Sequence, residues 1–191
     1  MPMARVVASV LLLAMLAIGC SSSRRATAEL WVEDHGGVVA GKSRAQTRLQ
    51  TVSRPLITAC CGRKISVQIL ATDAVTAYSL WDGHVFVTRG LMNHLDNAEL
   101  QAAVAHELGH LLSDGHVQTI ASLRGCCDDP DCEVRADAAG AQLLRAQGLS
   151  PDAMPSMLQK IVRFGALSPT CTRALQHRIG LLSESLDDPP R

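Results

Sequence analysis

His106-Glu107-Leu108-Gly109-His110 constrains this chain more than any other stretch. On an α-helix, residues four apart lie on one face, so the two imidazoles can hold one Zn²⁺ while Glu107 points toward the metal's open side. The flanks favour that helix. Asp96-Asn97-Ala98-Glu99 reads as a capping box, and Leu100, Val104, Leu108, Leu111 and Leu112 make an apolar stripe. A bound Zn²⁺ lowers the pKa of its water to about 7, and a neighbouring carboxylate can take the proton and later pass it to a leaving amine. The competing reading is a helix whose polar residues merely face solvent.

Composition bounds the rest. With 191 residues, 47% hydrophobic and only 3% aromatic, the chain allows one ordinary globular domain with an aliphatic core. Eighteen basic residues balance eighteen acidic ones, and no motif interleaves basic with aromatic residues. No nucleic-acid partner is expected.

The amino terminus reads as an address. Arg5 precedes the apolar run Val6 to Ile18, too short to span a bilayer comfortably and of the length of a secretory core. Leu16-Ala17-Ile18-Gly19-Cys20, followed by Ser21-Ser22-Ser23, resembles a bacterial lipoprotein signal, with Ala17 where leucine is usual. The resemblance implies cleavage after residue 19, lipidation of Cys20 and, from serine after the cysteine, the outer membrane facing the periplasm. A soluble-secretion signal or an uncleaved anchor is the alternative. The expected organisation is a signal peptide over 1–19, a lipidated tether over 20–42, polar and turn-rich with Gly36-Gly37 inside it, and a catalytic domain over 43–191.

Periodicity places the elements. Lys42 to Leu56 predicts a helix stopped near Pro55, and Lys64 to Leu70 alternates as a half-buried strand. Thr76 to Val87 predicts a hairpin turning at Asp82-Gly83. His84, His94 and His35 are expected to be ordinary surface histidines. Asp129-Pro130 opens a helix that Gly148 ends; Ser150-Pro151 opens another reaching Phe164, and Thr172 to Leu186 forms the last. The expected class is α+β, a small antiparallel sheet packed on several helices.

The order of these pieces is specific. Hairpin, Val87-Thr88-Arg89-Gly90-Leu91, capped helix and H-E-x-x-H, then Glu133-Val134-Arg135-Ala136-Asp137-Ala138-Ala139-Gly140 and Gly148-Leu149-Ser150-Pro151-Asp152-Ala153-Met154, resemble the zinc endopeptidase family of HtpX, the BepA-like periplasmic proteases and the CAAX prenyl protease. The likeness runs over about residues 43 to 182. It implies a mostly helical, zincin-like (gluzincin) metallopeptidase domain with one Zn²⁺ per chain. The ligands would be His106, His110 and Glu133, and Glu107 would be general base and then acid.

Chemistry supports Glu133 separately. A catalytic zinc takes three protein ligands and an open fourth position, and two histidines with one glutamate is a known set. Asp137, four residues on, lies on the same face, where it can accept the free N–H of a ligating histidine. His116 is the rival, standing where a third histidine falls in H-E-x-x-H-x-x-G-x-x-H, although Ser113 occupies the position where that motif needs glycine.

The carboxy-terminal part departs from the family. A histidine-proline pair commonly stands six residues before Arg-Ile, both histidine and arginine being placed to help the oxyanion. Counting back from Arg178 gives Thr172. Arg178 stays as an expected electrostatic stabiliser, with His177 or Tyr78 as substitutes for the histidine.

The resemblance further implies a polypeptide substrate lying extended along the hairpin edge. Unfolded or misassembled envelope proteins are the expected targets, with a membrane contact through the lipid and outer-membrane protein assembly partners. Two other readings stay open: a zinc-holding or zinc-less binding protein that recognises such chains without cutting, and a plain lipoprotein whose motif is accidental. Besides Cys20, six cysteines remain: Cys60, Cys61, Cys126, Cys127, Cys132 and Cys171. Outside the cytoplasm disulfides are expected, with Cys126, Cys127 or Cys132 reaching Cys60, Cys61 or Cys171 and fixing the loop before Glu133.

Overall fold

The computed structural model describes residues 28–41, 43–60, 62, 64–80, 82–113 and 130–187. The expected signal peptide, Cys20 and His116 therefore lie outside the described residues, as do Cys61, Cys126 and Cys127. Among the described residues no helix is long and apolar enough to cross a membrane.

The chain divides into two units, residues up to Gly37 and residues from Val38 onward. In the first, a short helix α1 (28–34) stands where the sequence reads as a turn-rich tether. The His35 ring stacks on Trp31 at 4.0 Å and bonds the Trp31 carbonyl at 2.7 Å, closing the helix end locally.

The second unit is α+β. Its elements run α2 (Arg44–Cys60), β1 (Ser66–Leu70), β2 (Ala77–Ser79), β3 (His84–Thr88), α3 (Arg89–His94), α4 (Asn97–Ser113), α5 (Pro130–Ala146), α6 (Ala153–Phe164) and α7 (Pro169–Asp187). Helix α2 continues through Pro55 rather than stopping there. Proline removes one backbone donor, but Leu49, Val52 and Leu56 are buried on one face, and that burial holds the helix together across the lost bond.

The sheet corrects the expectation of an antiparallel one. Its order is β1-β3-β2, with β2 antiparallel and β1 parallel to β3. The hairpin forms as expected, Gly83 taking φ 91° in its turn. Strand β3 becomes the middle strand, and Val85, Phe86 and Val87 are buried in succession, as a strand covered on both faces requires.

The two edges differ. Along β1, Gln46 of α2 donates to the Val67 carbonyl at 3.0 Å and accepts from the Ile69 amide at 3.2 Å, standing in for a peptide unit. Val39 N–H donates to the Ile69 carbonyl beside it. Along β2, Thr76 and Leu80 bond across to Thr88 and His84, so the alternate residues Ala77 and Ser79 turn their backbone polar groups to the outer edge.

Helix α4 is central. The capping box is present: Glu99 N–H donates to Asp96 Oδ1 at 2.9 Å and Asp96 N–H to Glu99 Oε2 at 2.8 Å. The buried Glu99 carboxylate also accepts from Ser156 and Lys160, tying the start of α4 to α6. Instead of one apolar stripe, every residue from Ala102 to Leu111 is buried, while Leu112 is 41% exposed. Small side chains at Ala102, Ala103, Ala105 and Gly109 let neighbouring helices pack against several faces of α4 at once.

Candidate metal centre

The centre lies where α4 meets α5, and the approach is backbone to backbone. A Cβ built on Gly109 would stand 2.3 Å from the Ala136 carbonyl oxygen, and one on Gly140 would stand 2.9 Å from the Ala105 carbonyl. Only glycine at both positions permits this crossing. It brings His106 and His110 on α4 against Glu133 on α5.

Ligand-capable atoms of His106, His110 and Glu133 all lie within 4.8 Å of one another. His106 Nε2 faces Glu133 Oε2 at 3.4 Å, and His110 Nε2 faces Glu133 Oε1 at 3.5 Å. The two rings meet edge to face, 4.8 Å apart. Behind the first ring, His106 Nδ1 bonds Asp137 Oδ1 at 2.8 Å. Asp137 thus occupies the position its spacing predicts.

Arg178 of α7 joins this group through its carboxylates. Its side chain is buried and donates to Asp137 and Glu133, with Nη1 2.6 Å from Glu133 Oε2. His177 is exposed, and Tyr78 is half-buried on β2. The other histidines are paired locally and half-buried, His84 with Asp82 at 2.9 Å and His94 stacked on Phe164 at 4.1 Å.

Electrostatics show a cluster built around positive charge. Burial opposes the imidazolium of His106, but hydrogen bonds to Asp137 and Glu133 outweigh it and raise its pKa to about 10. Burial likewise opposes the charged form of His110, and its bond to Glu133 again prevails, raising it. Burial pushes the Glu133 carboxyl up, yet both histidines pull it well below the usual carboxylate range. Asp137 is lowered against burial chiefly by Arg178 and then by His106.

The donor set fits zinc. Two borderline imidazole nitrogens and one hard carboxylate oxygen form a set that zinc accepts, in a number that leaves a position open. Among the described residues of this cluster, Glu107, Glu133 and Asp137 bring three carboxylates and Arg178 one permanent cation. With both histidines neutral, as metal binding requires, the remaining two negative charges are what a divalent cation offsets. Glu107 is buried beside His106 and raises the His110 pKa through its charge.

Residues 43–126 match the model of Peptidase family M48. The M48 peptidase family is the one this match supports. A relative is Metalloprotease YcaL of Escherichia coli (strain K12), 32% identical over 79 residues, which are 41% of this chain and 31% of that protein. The chain thus matches under a third of that relative's length. Both comparisons support a metallopeptidase, and the family implies a metal. The matched M48 segment contains His106, Glu107 and His110 and ends before Glu133, so the third donor rests on the geometry above.

Sequence reasoning missed three contributors. Gly109 and Gly140 set the helix crossing, and their signal was the run of small residues in both helices. Cys132 Sγ lies 3.5 Å from His110 Nδ1, on the opposite side of the ring from Glu133. Cys60 and Cys132 are thiols, and no disulfide joins two cysteines among the described residues. Cys171, one of the expected bridge partners, is disulfide-bonded, while the Cys132 sulfur is turned to the histidine.

Proposed function

We propose that this chain is a zinc-dependent endopeptidase, lipid-anchored through Cys20 in the bacterial envelope, that cleaves unfolded or misassembled proteins there. The observation that carries the reading is the convergence of His106, His110 and Glu133 beside the buried Glu107. When bound, zinc acidifies a water and polarises a carbonyl. The chain's own residues do the rest: Glu107 takes the proton of the water on its carboxylate and returns it to the leaving amine, and Asp137 holds the His106 ring by its Nδ1–H.

The substrate would lie along β2. Gln46 and Val39 occupy the β1 edge, whereas Ala77 and Ser79 offer backbone groups outward on the other. An extended chain added there is recognised through its backbone, which suits unfolded polypeptides over a defined side-chain sequence.

The test compares wild type with Glu107→Gln on unfolded casein. The variant is expected to keep its metal and lose cleavage, because glutamine preserves shape and removes the base. Equal cleavage by both proteins refutes the mechanism. Anchoring is checked by fractionation, in which Cys20→Ala should leave the membrane pellet while wild type stays.

A second reading has its own support. Thr172 stands where the family resemblance places a histidine, and Arg178 directs its guanidinium to Glu133 and Asp137. Both groups expected to serve the oxyanion are thus missing or engaged. In this reading the chain holds zinc but acts as a binding protein for misassembled outer-membrane proteins. Zinc retention with no casein cleavage in wild type would establish it.

A further inference from the structure

Each ligating histidine needs its ring fixed so that Nε2 points at the metal, and the usual means is a hydrogen bond from the opposite Nδ1–H. For His106 that partner is Asp137, at 2.8 Å. For His110, Nε2 faces Glu133 at 3.5 Å while Nδ1 faces Cys132 Sγ, also at 3.5 Å. Both backing groups come from α5, the helix that carries Glu133. We infer that Cys132 is a positioning residue of His110, its sulfur accepting the Nδ1–H and so helping to set the tautomer and tilt of the second zinc ligand. This rests on the zinc reading above.

The choice of sulfur has a physical sense. The cluster already holds three carboxylates against Arg178, and a carboxylate at position 132 would add an anion needing its own partner. A thiol fixes the ring without that charge. It is also a weaker acceptor than a carboxylate, so the bond it gives His110 is weaker than the one Asp137 gives His106. Cys132 immediately precedes Glu133 at the start of α5. The first turn of one helix therefore delivers a ligand and the support of another ligand together.

The test uses the full chain as wild type, Cys132→Ala and Cys132→Ser. Zinc affinity is measured by competition with a chromophoric chelator, and the melting temperature is measured on the metal-free proteins. Removing an outer partner of a ligating histidine typically costs about 10–100-fold in affinity, and a weak acceptor places Cys132→Ala near 10-fold. Cys132→Ser, which keeps a short acceptor, should stay within about threefold of wild type, and metal-free melting should be nearly unchanged in both.

Equal affinity in all three proteins overturns the inference. So does an equal loss in Ala and Ser, or a loss matched by metal-free destabilisation, since either marks a packing role. A sulfur-to-metal charge-transfer band in the cobalt-loaded wild type, absent in Cys132→Ser, would make Cys132 a ligand and overturn it as well. If wild type binds no zinc, the metal-centre reading itself fails, and that outcome is separate from a failure of Cys132 alone.

Discussion

Arg178 grips both oxygens of Asp137, Nε to Oδ2 at 2.7 Å and Nη2 to Oδ1 at 2.8 Å, while its third nitrogen reaches Glu133. The planar fork matches a carboxylate in a way a lysine ammonium cannot. One residue of the last helix thereby fixes Glu133, the proposed third donor, and Asp137, the support of His106. Removing one member of a buried ion cluster costs about 3–5 kcal/mol, because the remaining charges stay buried and unpaired. Arg178→Ala should therefore lower the melting temperature by roughly 10 °C, and Arg178→Lys by a smaller amount. Were Arg178 instead an exposed cleft cation serving the oxyanion, both variants would melt near wild type and lose only turnover.

Sequence reading reached what is local. The capping box, the two histidines four apart and the Glu133–Asp137 spacing each depend on one helix, whose geometry is known before any fold is. What depends on distant partners was hidden. Strand β1 pairs in parallel with β3 because β3 enters between β1 and β2, a choice of order that alternation within a strand cannot express. Arg178 finds its carboxylates 41 and 45 residues away, so its arginine-isoleucine motif did not reveal that it binds Asp137 and Glu133. Compartment alone marks Cys132 as one of three candidate disulfide partners, while its contact with His110 spans 22 residues.

The third ligand has a direct test. Glu133 oxygens face both histidines, whereas His116 lies outside the described residues. Glu133→Ala is expected to weaken zinc binding beyond the roughly 10–100-fold seen for outer partners, with His116→Ala close to wild type. Elemental analysis after dialysis against a weak chelator reads both. Zinc retained in Glu133→Ala but lost in His116→Ala would move the ligand to His116.

Metal-free and zinc-loaded protein should respond to pH in opposite directions. The fold raises the His106 pKa from 6.5 to about 10, so its contribution to metal-free stability is complete below 6.5 and is lost as pH rises through about 10. Glu133 and Asp137 are lowered, so their contributions are present above their ordinary values of 4.5 and 3.8 and are lost on acidification below them. In excess chelator, melting temperature should peak between about pH 5 and 7 and fall toward pH 10. Zinc requires neutral histidines, so its affinity should rise across that same interval. A chelated protein whose melting temperature climbs from pH 7 to 10 would show that His106 is not held protonated by this cluster.

The helix crossing can be probed with three glycines that differ in surroundings. A Cβ at Gly109 would meet the Ala136 carbonyl oxygen at 2.3 Å, and one at Gly140 would meet Ala105 and His106 backbone atoms at 2.9–3.0 Å. Backbone cannot rotate aside, so α4 and α5 must separate, and overpacking of this kind costs about 1–3 kcal/mol. Against this, glycine to alanine inside a helix gains about 1 kcal/mol. At Gly109 the clash should win clearly, lowering both melting temperature and zinc affinity as the His106–Glu133 separation grows. At Gly140 the shift needed is a few tenths of an ångström, so stability should change little while zinc affinity still falls. Gly180 in α7 has nothing within 4 Å of its missing Cβ, and Gly180→Ala should raise the melting temperature by about 2–4 °C with zinc affinity unchanged. Thermal melts with chelator-competition titrations on the three variants check this order. Gly109→Ala binding zinc as tightly as Gly180→Ala would show that the close crossing does not set the ligand geometry.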